Sequence, residues 1–368
     1  MSSSAHPRGP LAQLISDARV VVTAGSGGVG KTSVAAVLGM EAAAIGRRVV
    51  VVTIDPARRL ADALGLDSEG TGEPTSVDGE WPGDLSVVML DAKSTFDALV
   101  VGGAASTSQA ERIIENPLYR SISGALSGTQ EYMATEKLYE LATDDSWDLV
   151  VVDTPPTRNA LDFLTAPERL LRFFDHRLYK ILTAPSRGVL KVANVAAQTF
   201  LRAVSKVVGG DLIDDVIDFF NPFEGMEAGF RERAAEVDQM LRSDDTSFVL
   251  VASPRRDTVA EAKFFADHLT GLGIEVRAAV VNRMSPEFGV PSKVAATWAS
   301  AAGAESDFGR LASNLAELAA TSELEQEHLE GLRSAMGQAP IVKVPQLQRE
   351  LHDLEGLAEL GKWLMAEP

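Results

Sequence analysis

The run AGSGGVGKTS, Ala24–Ser33, sets glycines, a lysine and three hydroxyl side chains where a short apolar stretch gives way to an Ala-rich one. Gly25, Gly30, Lys31 and Thr32 satisfy the spacing G-x-x-x-x-G-K-[ST]. Glycines let successive backbone N–H groups turn toward a phosphate, a following helix N-terminus adds positive potential, and Lys31 neutralises β and γ oxygens. Thr32 offers a hydroxyl to Mg²⁺. The candidate phosphate-binding residues are therefore Gly25, Ser26, Gly27, Gly28, Val29, Gly30, Lys31, Thr32 and Ser33. Gly25, Gly27 and Gly30 also fit G-x-G-x-x-G, with Asp55 at about the distance of a ribose-binding acid, so a dinucleotide site is the rival assignment. A dinucleotide fold does not require Lys-Thr after the last glycine. A glycine-rich turn without a ligand is the plain one.

Two acids follow apolar runs: Asp55 in TIDPARRL and Asp153 in VVVDTPPTRNALDFL. At the carboxyl ends of parallel strands both would face the crevice where ligands bind. A carboxylate there can hold Mg²⁺ or its water, or accept a proton from attacking water, as phosphoryl transfer requires. Either acid alone serves as readily as a helix cap. Together, in a chain with a phosphate loop, they make Lys31, Asp55 and Asp153 the candidate catalytic residues, and Thr32, Asp55 and Asp153 the candidate metal-holding ones.

The elements that must position these residues are visible as apolar, β-branched runs between longer stretches of helical character: Val20–Thr23, Val49–Ile54, Leu85–Leu90, Leu149–Val152, Phe248–Ala252, Val276–Val281 and Ile341–Val344. Several are continuous rather than alternating, as strands buried on both faces are. The expected fold class is α/β, a mostly parallel central sheet with helices on both faces. Residues 65–83 and 102–108 read as polar loops. Residues 161–241 carry no strand signal yet hold eight of the 14 phenylalanines, so they read as a helical insertion for a client or partner, with Phe200, Val204 and Val208 on one helix face. A helical cap packed on the sheet or on a twin subunit accounts for the same apolar residues. The expected organisation is a flexible tail at 1–10, a nucleotide-binding core at 11–160 and 242–368, and the insertion between them.

Lys and Arg number 34 against 52 Asp and Glu, a net charge of −18, which argues against a nucleic-acid binder but leaves free nucleotides open. No cysteine is present, so disulfides, thiolate metal sites and cysteine nucleophiles are excluded. The five histidines show no metal spacing. The chain has neither a membrane-length apolar run nor a secretory signal at its start, and the expected location is cytoplasmic, without stable membrane insertion.

With these motifs the sequence resembles the ArsA-like anion-transporting ATPases, the group that includes the targeting ATPase for tail-anchored membrane proteins. GGVGKT, IDPA-x-x-L (Ile54–Leu60), DTPP-T (Asp153–Thr157), VVNR (Val280–Arg283) and VPQL (Val344–Leu347) recur in order over nearly the whole chain. The resemblance implies that ATP and Mg²⁺ are bound, that Asp55 activates water and that Asp153 stands near the metal. It also implies that Asn282 reads adenine, that Arg283 of the same VVNR segment belongs to the cofactor-binding set, and that the loop from Pro345 to Leu347 packs on the base. It implies a homodimer, or a heteromer with a related ATPase subunit, and a helical region for an apolar protein client. Three features depart from the family. Ser26 stands where its second loop lysine would be, cysteine ligands and the zinc clasp are missing, and the client helices diverge too far for residue matching. Arg158, or a lysine of a paired subunit, would have to replace the missing cation. The leading expectation is a Mg-dependent ATPase driving a helical subdomain. A nucleotide-binding scaffold subunit that does not hydrolyse is the alternative, and a surface-partitioning ATPase is a third reading, against which the C-terminus shows no basic amphipathic helix.

Overall fold

Seven apolar runs become strands because one sheet, covered on both faces, takes their side chains out of water. The computed structural model describes residues 9–55, 59–66, 72–116, 119, 129–176, 225–348 and 353–367, with backbone alone at 129, 157–159 and 173. In chain order its elements are α1 (Pro10–Asp17), β1 (Val20–Gly25), α2 (Lys31–Ala44), β2 (Arg48–Thr53), α3 (Arg59–Ala63), β3 (Thr75–Ser76) and β4 (Asp84–Met89). Then come α4 (Ala92–Gly103), α5 (Thr107–Ile114), α6 (Thr129–Thr143), β5 (Leu149–Asp153), α7 (Thr157–Asp175) and α8 (Glu227–Leu241). The chain closes with β6 (Thr246–Ala252), α9 (Arg256–Gly271), β7 (Val276–Met284), α10 (Ser292–Ala302), α11 (Asp307–Met336), β8 (Ile341–Pro345) and α12 (Leu354–Leu364).

The chain divides into two compact units. The first, Met1–Met89 with Glu140–Leu161 and Arg242–Pro368, holds the whole sheet, in the order β3-β4-β2-β5-β1-β6-β7-β8. All neighbours are parallel except β3, which runs antiparallel to β4 at the edge. β1, β5 and β6 are buried at every position, the pattern of strands covered on both faces. β8 alternates instead and exposes Lys343, as suits the other edge. Leu11 and Ile15 of α1, Val34 and Leu38 of α2, and Leu357 and Leu360 of α12 pack with the strand valines into one core. Gly9 and Pro10, assigned to the tail from sequence, belong to this body. Pro10 opens α1, where its missing N–H costs nothing, and the Gly9 N–H donates to Met365 O at 3.2 Å.

The second unit, Leu90–Tyr139 with Asp162–Leu241, is helical wherever described. The loop expected at 102–108 shrinks to Ala104–Ser106, because α4 runs on to Gly103 and Ser106 caps α5 by accepting from the Gln109 N–H. β3 likewise lies inside the stretch read as a loop at 65–83. Of the insertion's phenylalanines, Phe163, Phe174 and Phe230 are described with side chains, and all three are buried. Phe174 and Phe230 stack with centroids 5.9 Å apart, so these rings build this unit's core instead of offering a surface. The helix expected around Phe200, Val204 and Val208 lies outside the described residues, as does the side chain of Arg158. Among the described residues no helix is long and apolar enough to cross a membrane.

Candidate functional site

The glycine-rich loop leaves the carboxyl end of β1, the strand flanked by β5 and β6. Two of its glycines are required by space. A Cβ on Gly25 would fall 1.9 Å from Val251 O of β6, and one on Gly30, at φ 102°, would fall 2.5 Å from Asn282 Nδ2. Gly30 is the N-cap residue of α2, and no side chain caps that helix. Gly30, Lys31, Thr32 and Ser33 line a cavity of about 830 Å³, so the open first-turn amides and the positive helix end act on any anion inside it. Pockets of roughly 300–1,000 Å³ hold drug-sized ligands.

Lys31 is buried, and its ammonium donates to Ser26 O at 2.8 Å. Burial lowers its pKa, Asp153 and Asp55 act in the opposite direction, and the Arg59 charge lowers it further. Asp153, at the end of β5, does not line the cavity and stands behind Thr32. Its Oδ2 accepts from Thr32 Oγ1 at 2.8 Å and Thr53 Oγ1 at 3.1 Å, while its buried Oδ1 has no partner. The Thr53 hydroxyl also accepts from the Asp55 N–H at 3.3 Å, which ties the two acids to one side chain. The Ile54 N–H donates to Asp153 O, and Thr154 Oγ1 donates to Thr23 O at 2.7 Å, so the ends of β2, β5 and β1 are held together beneath the loop.

Asn282, 5% exposed, also lines the cavity, and its amide donates to Val29 O at 3.0 Å, fixing the loop from the β7 side. Arg283 follows at φ 65°, where the β7–β8 register shifts, and it lines the cavity with Gln346, Leu347 and Gln348. The cavity thus brings together Gly27, Gly28, Gly30, Lys31, Thr32, Ser33, Asp55, Asn282, Arg283 and Leu347 of the expected set. Gly25, Ser26, Val29 and Pro345 support it from outside the lining. Sequence reasoning assigned no role to Thr53, Arg59 or Asp62. Arg59 and Asp62 sit one helical turn apart just after Asp55, and that spacing was the available signal.

Asp153 carries a pH signature. Burial pushes its carboxyl up from 3.8 to about 6, against hydrogen bonds from Thr32 and Thr53 and the charge of Lys31. A folded pKa above the unfolded one means that the folded chain binds the extra proton between the two values. Stability from this group therefore falls as pH rises from about 4 to about 6 and stays lower above, by ~3 kcal/mol for a shift of two units. Asp153→Asn removes that dependence. Thermal melts of the ligand-free variant and parent should show the variant gaining relative stability between about pH 4 and 7; a stability gap that does not change with pH would contradict the assignment.

A mostly parallel sheet with a phosphate loop after an inner strand, and acids at the ends of β5 and β2 on one side of it, defines an α/β nucleotide-binding protein of the phosphate-loop class. Residues 18–301 match the family model of the anion-transporting ATPases, and the chain belongs to that family. It is 22% identical over 356 residues to a provisionally named arsenical pump-driving ATPase 1 of Aquifex aeolicus, covering 95% of this chain and 79% of that protein. It is 23% and 22% identical to the proteins named ATPase get3 of Aspergillus terreus and Aspergillus niger, covering 94% of this chain and 90% of each.

Proposed function

We propose that this chain is a cytoplasmic, Mg-dependent ATPase whose nucleotide cycle drives its helical unit to engage a protein partner or an apolar client. The observation that carries the reading is the cavity in which uncapped helix amides, Lys31 and Thr32 face Asp55. In the proposed reaction a water oxygen bonds to the γ-phosphorus as the bond to the β,γ-bridging oxygen breaks. That oxygen leaves with the electron pair on ADP, and the water proton passes to Asp55 and on to solvent. Lys31 and the α2 amides bind the phosphates, while Asn282, by holding Val29 O, keeps the loop in the shape that presents them.

A divalent cation fits the donors present, because Asp153 Oδ1 is buried without a partner beside the Thr32 hydroxyl and all the donors are hard oxygens. Thr32, Asp55 and Asp153 would hold it, and when bound it supplies positive charge to the phosphate oxygens. Among the described residues no group of three or more His, Asp or Glu side chains is placed to hold a metal. The adenine role expected of Asn282, with Arg283 in the nucleotide site and Pro345 and Leu347 packing on the base, stays part of the proposal. Family membership supports pairing with a second copy or a related subunit. The exposed row Phe308, Leu311 and Leu318 on α11 offers that partner an apolar surface.

The test is phosphate release from MgATP by the purified chain, with nucleotide binding followed in parallel. Release that requires Mg²⁺ is expected. Tight ATP binding without release under single-turnover conditions would replace the enzyme with a regulatory subunit, a reading motivated by the neutral, buried Ser26. Absence of binding would end both.

A further inference from the structure

Between Ala24 and Ser33, Lys31 is the sole charged side chain, and Ser26, a neutral hydroxyl, is buried outside the cavity lining. One ammonium has therefore to face a triphosphate. Phosphoryl transfer spreads charge over the equatorial oxygens of the moving group, and one additional cation placed there commonly changes the rate by about 10³–10⁵. The cavity lining holds two further cations, Arg59 and Arg283.

Strand order separates them. Arg59 opens α3, the next helix in the chain after β2 and Asp55, whereas Arg283 is the next-to-last residue of β7, and β2 and β7 lie on opposite sides of β1 and its loop. Arg59 thus shares the side of the acid that receives the water's proton, while Arg283 shares its side with Asn282, Gln346 and Leu347. The Arg59 side chain is exposed and forms no hydrogen bond or ion pair among the described residues, even with Asp62 one turn along the same helix. A guanidinium lining a phosphate-loop cavity with its donors unspent is arranged for an oxyanion. Its charge already acts on Lys31, a repulsion that an anion between the two would relieve.

We propose that Arg59 is a catalytic residue of the phosphoryl transfer, its guanidinium contacting the γ-phosphoryl oxygens of the nucleotide bound to its own chain and supplying the positive charge that Ser26 cannot. This rests on the ATPase reading. The guanidinium neither gives nor takes a proton. Bonds form and break as written above, and Arg59 carries its charge next to the oxygens on which negative charge shifts.

The experiment is single-turnover hydrolysis with calorimetric nucleotide affinity for wild type, Arg59→Ala and Arg59→Lys. Arg59→Ala should lose about 10²-fold or more in the hydrolysis rate while its affinity for MgATP, with the exposed guanidinium screened by solvent, falls by a much smaller factor. Arg59→Lys should fall between, because a point charge lacks the planar fork. Added guanidinium ion should partly restore Arg59→Ala. An unchanged rate, or affinity and rate falling by the same factor, would overturn the assignment while leaving the ATPase intact. Activity regained on mixing Arg59→Ala with Lys31→Ala chains would show the arginine serving a neighbour's nucleotide and overturn its action within the chain. A wild-type chain that binds ATP without hydrolysing it removes the inference and the ATPase reading together.

Discussion

Lys31→Ala is expected to weaken MgATP binding by about 10³-fold and to abolish phosphate release. A unit charge about 4 Å from a phosphate charge is worth ~4 kcal/mol at an effective dielectric of 20, which is about three orders of magnitude in a dissociation constant. No other side chain of the loop carries charge, so nothing within Ala24–Ser33 replaces it. The ammonium is also buried and already anchored on Ser26 O, so little ordering remains to be paid when ligand arrives. Titration calorimetry measures the loss, and a thermal melt separates loss of ligand from loss of fold. A folded Lys31→Ala variant that binds within threefold of wild type would remove the phosphate assignment altogether.

Asp55→Asn should separate binding from chemistry. The amide keeps the size of the carboxylate, and the backbone bond from the Asp55 N–H to Thr53 Oγ1 is untouched, so the cavity wall persists. The amide cannot accept the water's proton. General-base catalysis contributes about 10²–10⁴, and the single-turnover rate should fall by that factor while MgATP affinity stays close to the parent. Asp62 also lines the cavity and is the competing base. Asp62→Asn is therefore the paired measurement: a large loss there, with Asp55→Asn at the parent rate, would transfer the role to Asp62.

The sheet was legible because continuous valine-rich runs have one stable home, between two layers of helix. All seven runs are strands, and their ends fall within three residues of expectation. β3 was not legible: two residues, Thr75 and Ser76, carry no period, and only pairing with β4 makes them a strand. The short gap between α4 and α5 was misread for a related reason. Gly102 and Gly103 look like loop, but Asp91 and Ser106 decide where the helices begin, and α4 carries through both glycines. The phenylalanines between residues 161 and 241 show a third limit. Composition marks them as apolar, while burial is decided by packing: Phe163 is fully buried, and Phe174 and Phe230 share a core with Val100 of α4 and Ile113 of α5.

The site divides in the same way. The amino-acid sequence alone determined the phosphate loop, the acids at the ends of β2 and β5, and the parallel sheet that aims them, because each is written in adjacent residues and their spacing. Tertiary structure alone decided that Thr32 bonds Asp153 across 121 positions, that Asn282 holds Val29 O across 253, and that Arg59 faces the same cavity as Lys31. The physical reason is that spacing constrains only neighbours on one helix or strand. Which distant side chains meet depends on strand order and register, and those follow from how the buried faces pack against one another.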